Sequence, residues 1–258
     1  MAGENGVWPR CGATITRETD VGGAQDGLEL AEALGPLEAG GRIAEIGRRF
    51  GDRAIATTSA GAQAPVMLHL IARHAPEIPV VFIDTGFHFP ETYVYLERLR
   101  EAIDVKVEIY APTLTAARLE AVHGRLWEGD EAALARYSLL TKVEPMDRAL
   151  RDHRAAAWIS GLRRAHSKER ARRELVDRQG QTLKLYPILD WTDEDVAGYM
   201  LAHDLPAHPL LERGYVSIGD WHSTRPLEDG MTPEETRFNG IRRECGLHID
   251  SQVSDYRI

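Results

Sequence analysis

The chain predicts an α/β domain with a largely parallel sheet and helices on both faces. Three observations predict it. Apolar or β-branched runs alternate with stretches of helical spacing over residues 54–204. PVVFIDT at 79–85 is apolar up to its last two residues, as a strand buried on both faces is. Small and polar residues follow the strand runs, where open α/β sheets carry their ligand contacts.

In chain order, residues 1 to about 25 are rich in glycine and polar residues and read as a mobile or tag-like N-terminus. LELAEALGPLEAGGRIAEIGRRFG (28–51) is helical with glycine breaks. AIATTS (54–59) is a short β-branched strand, and PVMLHLIARHA (65–75) a helix whose proline fits the first turn. PVVFIDT is the second strand. FPETYVYLERLREA (89–102) is helical, VKVEIYAP (105–112) alternates as a strand, and AAWISGLRR (156–164) and TLKLYPI (182–188) are two further strands. TDEDVAGYMLAHD (192–204) opens with Thr192 and Asp195 at capping-box spacing. From about 205 the pattern is irregular, so this stretch either covers the open end of the sheet or orders on a ligand.

Composition narrows the function. The 258 residues are 43% apolar, enough for a sizeable core. A net charge of −9 argues against general nucleic-acid binding but allows a local basic pocket. Cys11 and Cys245, the two cysteines, suggest neither a disulfide framework nor a structural metal site. The N-terminus lacks the apolar core of a signal peptide, and no apolar run is long enough to span a membrane, so a cytoplasmic protein is expected.

Six short motifs carry candidate chemistry. TSAGAQ (58–63) joins a strand to a helix, where backbone N–H groups can approach a phosphate. It lacks a Walker lysine, and taken alone a plain strand-to-helix turn is the better reading. In IDTGFHFPET (83–92), Asp84 and Thr85 end a strand; a helix-start turn with Pro90 at its first position fits equally. GLRR (161–164), with Lys168 and Arg170 after it, offers a positive edge or a solvated charge cluster. Lys142 in KVEPM and the run SIGDWHSTRP (217–226) would ordinarily lie on the surface. Cys245 in IRRECGLH (241–248) follows two arginines, which stabilise a thiolate; a reactive and an inert thiol are equally compatible with this setting.

Taken together and in this order, ECGLH, KVEPM, GLRR, DTGFHFPET and HPLLERGYVSIGD resemble the phosphoadenylylsulfate (PAPS) reductase family over residues 40–250. The resemblance implies an adenine-nucleotide α hydrolase-like parallel sheet with a modified PP-loop. It divides the chain into residues 1–25, a disordered N-terminus; 26–240, the nucleotide-binding reductase domain; and 241–258, a mobile catalytic tail. Adenylylsulfate (APS) reductases of the family typically hold a [4Fe–4S] cluster on a Cys-Cys pair and a CxxC. Here Tyr137, Ser138, Asp220 and Ser223 fill those places, so no iron–sulfur cluster is expected. That absence and Gln63 resemble the PAPS-using branch.

The resemblance further implies that Cys245 attacks the sulfuryl group and that reduced thioredoxin then releases sulfite. Lys142 and Arg237 would contact the phosphosulfate, with Arg225 a further candidate. Ser59, Gly61 and Gln63 would form the nucleotide loop, Asp84 and Thr85 would lie near the adenosine, and Arg163 and Arg164 would contact phosphate. His248 would assist the thiolate or recognise thioredoxin. A homodimer without bound cofactor is the implied assembly. The rivals are APS reduction without a cluster, an ATP-using PP-loop adenylyltransferase, and a nucleotide-binding regulator.

Overall fold

The computed structural model describes residues 21–166 and 170–237. Its order is α1 (Val21–Leu34), α2 (Ala39–Phe50), β1 (Ala54–Thr58), α3 (Ala64–His74), β2 (Val80–Ile83), α4 (Pro90–Ile103) and β3 (Val107–Tyr110). Then follow α5 (Ala116–His123), α6 (Glu131–Ser138), a π-helical turn (Leu139–Val143), α7 (Glu144–Asp152), β4 (Ala157–Ile159), β5 (Val176–Gln179), β6 (Thr182–Leu185) and α8 (Asp193–Ala202). Helix α1 begins at Val21, inside the stretch whose composition suggests no pattern.

The six strands lie in the order β3-β2-β1-β4-β6-β5. All neighbouring pairs are parallel except β5 with β6. Successive residues along the strands face opposite sides of the sheet, and both sides are buried. Ala54, Ala56, Val80, Phe82, Ile159 and Leu185 join the large core with α2, α3 and α4. Ile55, Val81, Ile83 and Trp158 point the other way, onto Met146 and Ala149 of α7. From β1 the chain builds outward to β2 and β3, then returns to β4 on the opposite side of β1. The order reverses between β1 and β4, which opens a crevice at their carboxyl ends.

Local signals act where expected. Pro65 sits in the first turn of α3, Pro90 opens α4, and Thr192 and Asp195 close a reciprocal capping box on α8. The strand expected over 156–164 is short: β4 ends at Ile159, and the GLRR run continues as loop and turn. The irregular stretch covers the sheet rather than hanging free as far as Arg237, for Leu210 and His208 are each 1% exposed and Asp220 is fully buried.

Candidate active site

Four consecutive residues, Ser217-Ile218-Gly219-Asp220, tie the site together. A tetrapeptide of this composition reads as surface loop, yet here it runs across the carboxyl ends of the strands. The Ile218 carbonyl packs beside Gly61 of the β1–α3 loop. Ser217 accepts a hydrogen bond from the Arg237 guanidinium (3.3 Å), and that guanidinium lies flat against Gly219. Asp220 makes a bridge to His88, and the Trp221 N–H donates to the Phe87 carbonyl (2.8 Å).

Asp220 is the anchor. Its carboxylate accepts from the Thr85 hydroxyl (2.6 Å) and the Tyr137 hydroxyl (2.9 Å), and pairs with the Lys142 ammonium at 2.7 Å. His88 Nδ1 stands 3.8 Å away. Burial alone would raise the Asp220 pKa; the Lys142 charge, His88 and the hydrogen bonds outweigh it and hold the group well below the usual carboxylate range. Burial, and then the neighbouring Asp220 charge, push Tyr137 far up, so its hydroxyl stays a proton donor. His222 is lowered to about 4, by burial first, so it is neutral. It stacks on Trp127 at 4.3 Å and reaches the Tyr137 hydroxyl at 3.0 Å.

Lys142 reaches this network because of where it sits. Residues 139–143 form a π-helical turn between α6 and α7, in which the Glu144 N–H bonds to the Leu139 carbonyl five residues back. The Thr141 hydroxyl donates to the Tyr137 carbonyl (2.7 Å). The lysine side chain is 7% exposed, against the expectation of a surface residue before a helix.

The β1–α3 loop turns through Ala60, whose φ of 48° lies in the left-handed region and costs an alanine about 1 kcal/mol. The Ala60 N–H donates to the Thr58 hydroxyl (3.1 Å). Ser59 is exposed at the mouth of the loop, and Gln63 caps α3. Behind the loop, the wholly buried Arg163 donates to the Gln63 amide oxygen (2.8 Å), the Trp191 carbonyl (3.1 Å) and Asp193 (2.5 Å). GLRR thus joins the β4 end of the crevice to the β1 end. Asp84 accepts from the Gly86 N–H (2.9 Å) and from the Tyr93 hydroxyl (2.7 Å), which fixes the turn into α4.

The structure therefore groups Lys142, Arg237, Thr85, Gly61 and, through Arg163, Gln63 around the crevice. Two expected residues stand apart. Arg164 spends Nε and Nη2 on the Arg173 carbonyl. Arg225 is exposed and donates to the Glu235 carbonyl (3.1 Å). Thr224 is the residue that bridges to Arg237, so the next side chain, Arg225, projects to the opposite side of that pairing. It lines a groove with Trp127, Trp221 and His222. Cys245 and His248 lie outside the described residues.

The anchoring role of Asp220 was missed in the sequence, where it counted only as a place lacking a thiolate. Ile218 and Asp220, two apart in an extended run, share a side, and both are buried. A carboxylate in phase with an apolar residue was the available signal. Tyr137 and Asp220 meet in a hydrogen bond, and the Ser223 hydroxyl donates to the Asp220 carbonyl (3.2 Å).

Chemically, this crevice brings together cations, the exposed Ser59 hydroxyl and the N-terminus of α3, an arrangement suited to a multiply charged anion. Residues 53–226 match the phosphoadenosine phosphosulfate reductase domain. A protein from Alkalilimnicola ehrlichii named phosphoadenosine 5′-phosphosulfate reductase is 51% identical over 200 residues, covering 78% of this chain and 82% of that one. The solved phosphoadenylyl-sulfate reductase of Candida auris, a phosphate complex, superposes with a TM-score of 0.66 at 28% identity over 78% of this chain and 97% of its own. The FMN adenylyltransferase of Candida glabrata shares the fold alone, at 15% identity and a TM-score of 0.54 over 88% and 86% of the two chains. The resemblance read in the five motifs holds across the domain, and the chain belongs to the phosphoadenosine phosphosulfate reductase family.

Proposed function

We propose that the chain reduces 3′-phosphoadenylylsulfate to sulfite and adenosine 3′,5′-bisphosphate, with thioredoxin as reductant, in assimilatory sulfate reduction. The observation that carries this reading is the meeting of Lys142, Arg237 and Thr85 on the segment 217–220, which itself lies inside the region matched to the reductase domain. In the first step the Cys245 thiolate attacks the sulfuryl sulfur. A sulfur–sulfur bond forms, the sulfur–oxygen bond to the nucleotide breaks, and the electron pair leaves with the nucleotide phosphate. Lys142 and Arg237 stabilise the anionic oxygens as charge redistributes. In the second step a thioredoxin thiolate attacks Cys245 Sγ and expels sulfite. The second thioredoxin thiol then frees Cys245, so thioredoxin supplies both electrons and ends as a disulfide.

The β1–α3 loop, with Ser59, Gly61 and Gln63, receives the nucleotide, Asp84 and Thr85 lie beside the adenosine, and Arg163 supports the loop from behind. Arg164 and its basic neighbours are offered to phosphate, Arg225 to the approaching sulfonucleotide, and His248 to the thiolate or thioredoxin. A cytoplasmic homodimer with no bound cofactor belongs to the same proposal. The test is incubation with PAPS and no thioredoxin. The protein should gain the mass of one sulfonate on the peptide containing Cys245, and reduced thioredoxin should remove it as sulfite. Cys245→Ser should bind nucleotide without forming the adduct, and Cys11→Ser should behave as wild type. APS run side by side should give lower kcat/KM. Sulfite release by Cys245→Ser, or an equal rate with APS, would overturn the mechanism or the substrate respectively.

A further inference from the structure

A carboxylate taken out of water needs strong partners to replace its hydration. Asp220 is fully buried, and its partners come from two separate stretches: Thr85 after β2, and Tyr137 and Lys142 where α6 passes into the π-helical turn. A clamp needed only to join these stretches could be built from apolar contacts without the desolvation cost. What a carboxylate adds is control over a flexible cation. Lysine is a point charge on a four-carbon stem, and nothing in its own geometry aims it. The two hydroxyl donors fix the plane of the carboxylate, and the carboxylate in turn fixes the ammonium. An ammonium has three N–H groups, so one contact with Asp220 does not exhaust it.

We infer that Asp220 is a positioning residue for Lys142: its carboxylate, oriented by Thr85 and Tyr137, holds the lysine ammonium at the carboxyl end of the sheet where the phosphosulfate must lie. The inference rests on the reading of Lys142 as a substrate contact. It assigns Asp220 no direct contact with the nucleotide.

The test uses the full chain, a single turnover with PAPS, and no thioredoxin, following sulfonation of Cys245. Asp220→Asn should lower the maximal rate about a hundredfold, the usual effect of displacing a catalytic group by an ångström. The half-saturating PAPS concentration should stay within about threefold, because the substrate's binding contacts remain. Lys142→Ala should show a similar fall, and the double variant should be no slower than Lys142→Ala alone, since Asp220 acts through the lysine. Asp220→Asn leaves a buried cation without its anion and can fail to fold. Tyr137→Phe is therefore the second variant. It removes one hydroxyl from the carboxylate and should slow sulfonation about fivefold, with no effect in the Lys142→Ala background. Rates that multiply in the double variants overturn the inference, as does an unchanged maximal rate in folded Asp220→Asn or, failing that, in Tyr137→Phe. A wild-type rate in Lys142→Ala would instead refute the role given to the lysine, and absence of any adduct in the wild type would refute PAPS reduction.

Discussion

Gly219→Ala tests whether the placement of the Arg237 guanidinium controls the rate. A Cβ added at Gly219 would stand 2.6 Å from Arg237 Cζ and Nη1. Ordinary carbon contacts lie near 3.5 Å, so the guanidinium must retreat by roughly 1 Å. The glycine is not in a left-handed conformation, so alanine brings no backbone strain there. The obstructed atoms are the far end of a long side chain, which can move without unfolding the chain. The substitution is thus a displacement of one cation. An ångström of misplacement costs about a hundredfold, or about 2.7 kcal/mol of transition-state stabilisation. The assay is single-turnover sulfonation of Cys245, with the thermal midpoint measured in parallel. The expected result is a slow enzyme of near-normal stability, and Gly219→Ala in an Arg237→Ala background should cost little more. A folded Gly219→Ala at wild-type rate would refute a role for the guanidinium at its present position.

Two further outcomes follow from buried side chains. His208 is lowered to about 4, chiefly by burial, and its Nδ1 accepts the Leu210 N–H at 3.1 Å, an acceptor role that protonation destroys. The unfolded chain takes up this proton near 6.5 and the folded chain only near 4, so stability should fall as pH drops through that window. His208→Gln should show a smaller drop in urea midpoint between pH 7 and 5, and equal drops would refute the assignment. Arg163→Lys keeps the charge but cannot span Gln63, Trp191 and Asp193 at once. Its affinity for adenosine 3′,5′-bisphosphate should weaken about tenfold by calorimetry, and unchanged affinity would show that the loop stands without this support.

Periodicity made the frame legible. The apolar run at β2, the capping box of α8 and the prolines opening α3 and α4 carry short-range signals, and each sits where its chemistry requires. Strand β5 escaped because VDRQ is polar and half-buried, an edge strand paired on one side only. Helices α5 and α6 escaped because they are short, at eight residues each, and so carry little periodicity. The site was legible as a set of motifs and not as a geometry. Lys142 and Asp220 are 78 positions apart, and no local pattern says that they meet. Even Arg163, read as a phosphate contact, proves to be wholly buried, a fate set by Gln63 and Asp193 from two other elements.

The π turn puts residues five apart, rather than four, on one face of the segment from Glu131 to Asp152. Each residue of a helix advances about 100° around the axis. Five such steps would leave Lys142 about 140° from Tyr137, but the wider π turn brings both side chains to Asp220. Removing one residue from 139–141 would put them four apart, about 40° from alignment, so an ordinary helix running from α6 into α7 would keep both near Asp220 and leave Met146 and Ala149 on the sheet. Side-chain replacements at Leu139 or Leu140, both half-buried, disturb neither register. Among variants of this chain, loss of one residue between 139 and 141 should therefore be tolerated better than gain of one, which would turn Lys142 away from Tyr137.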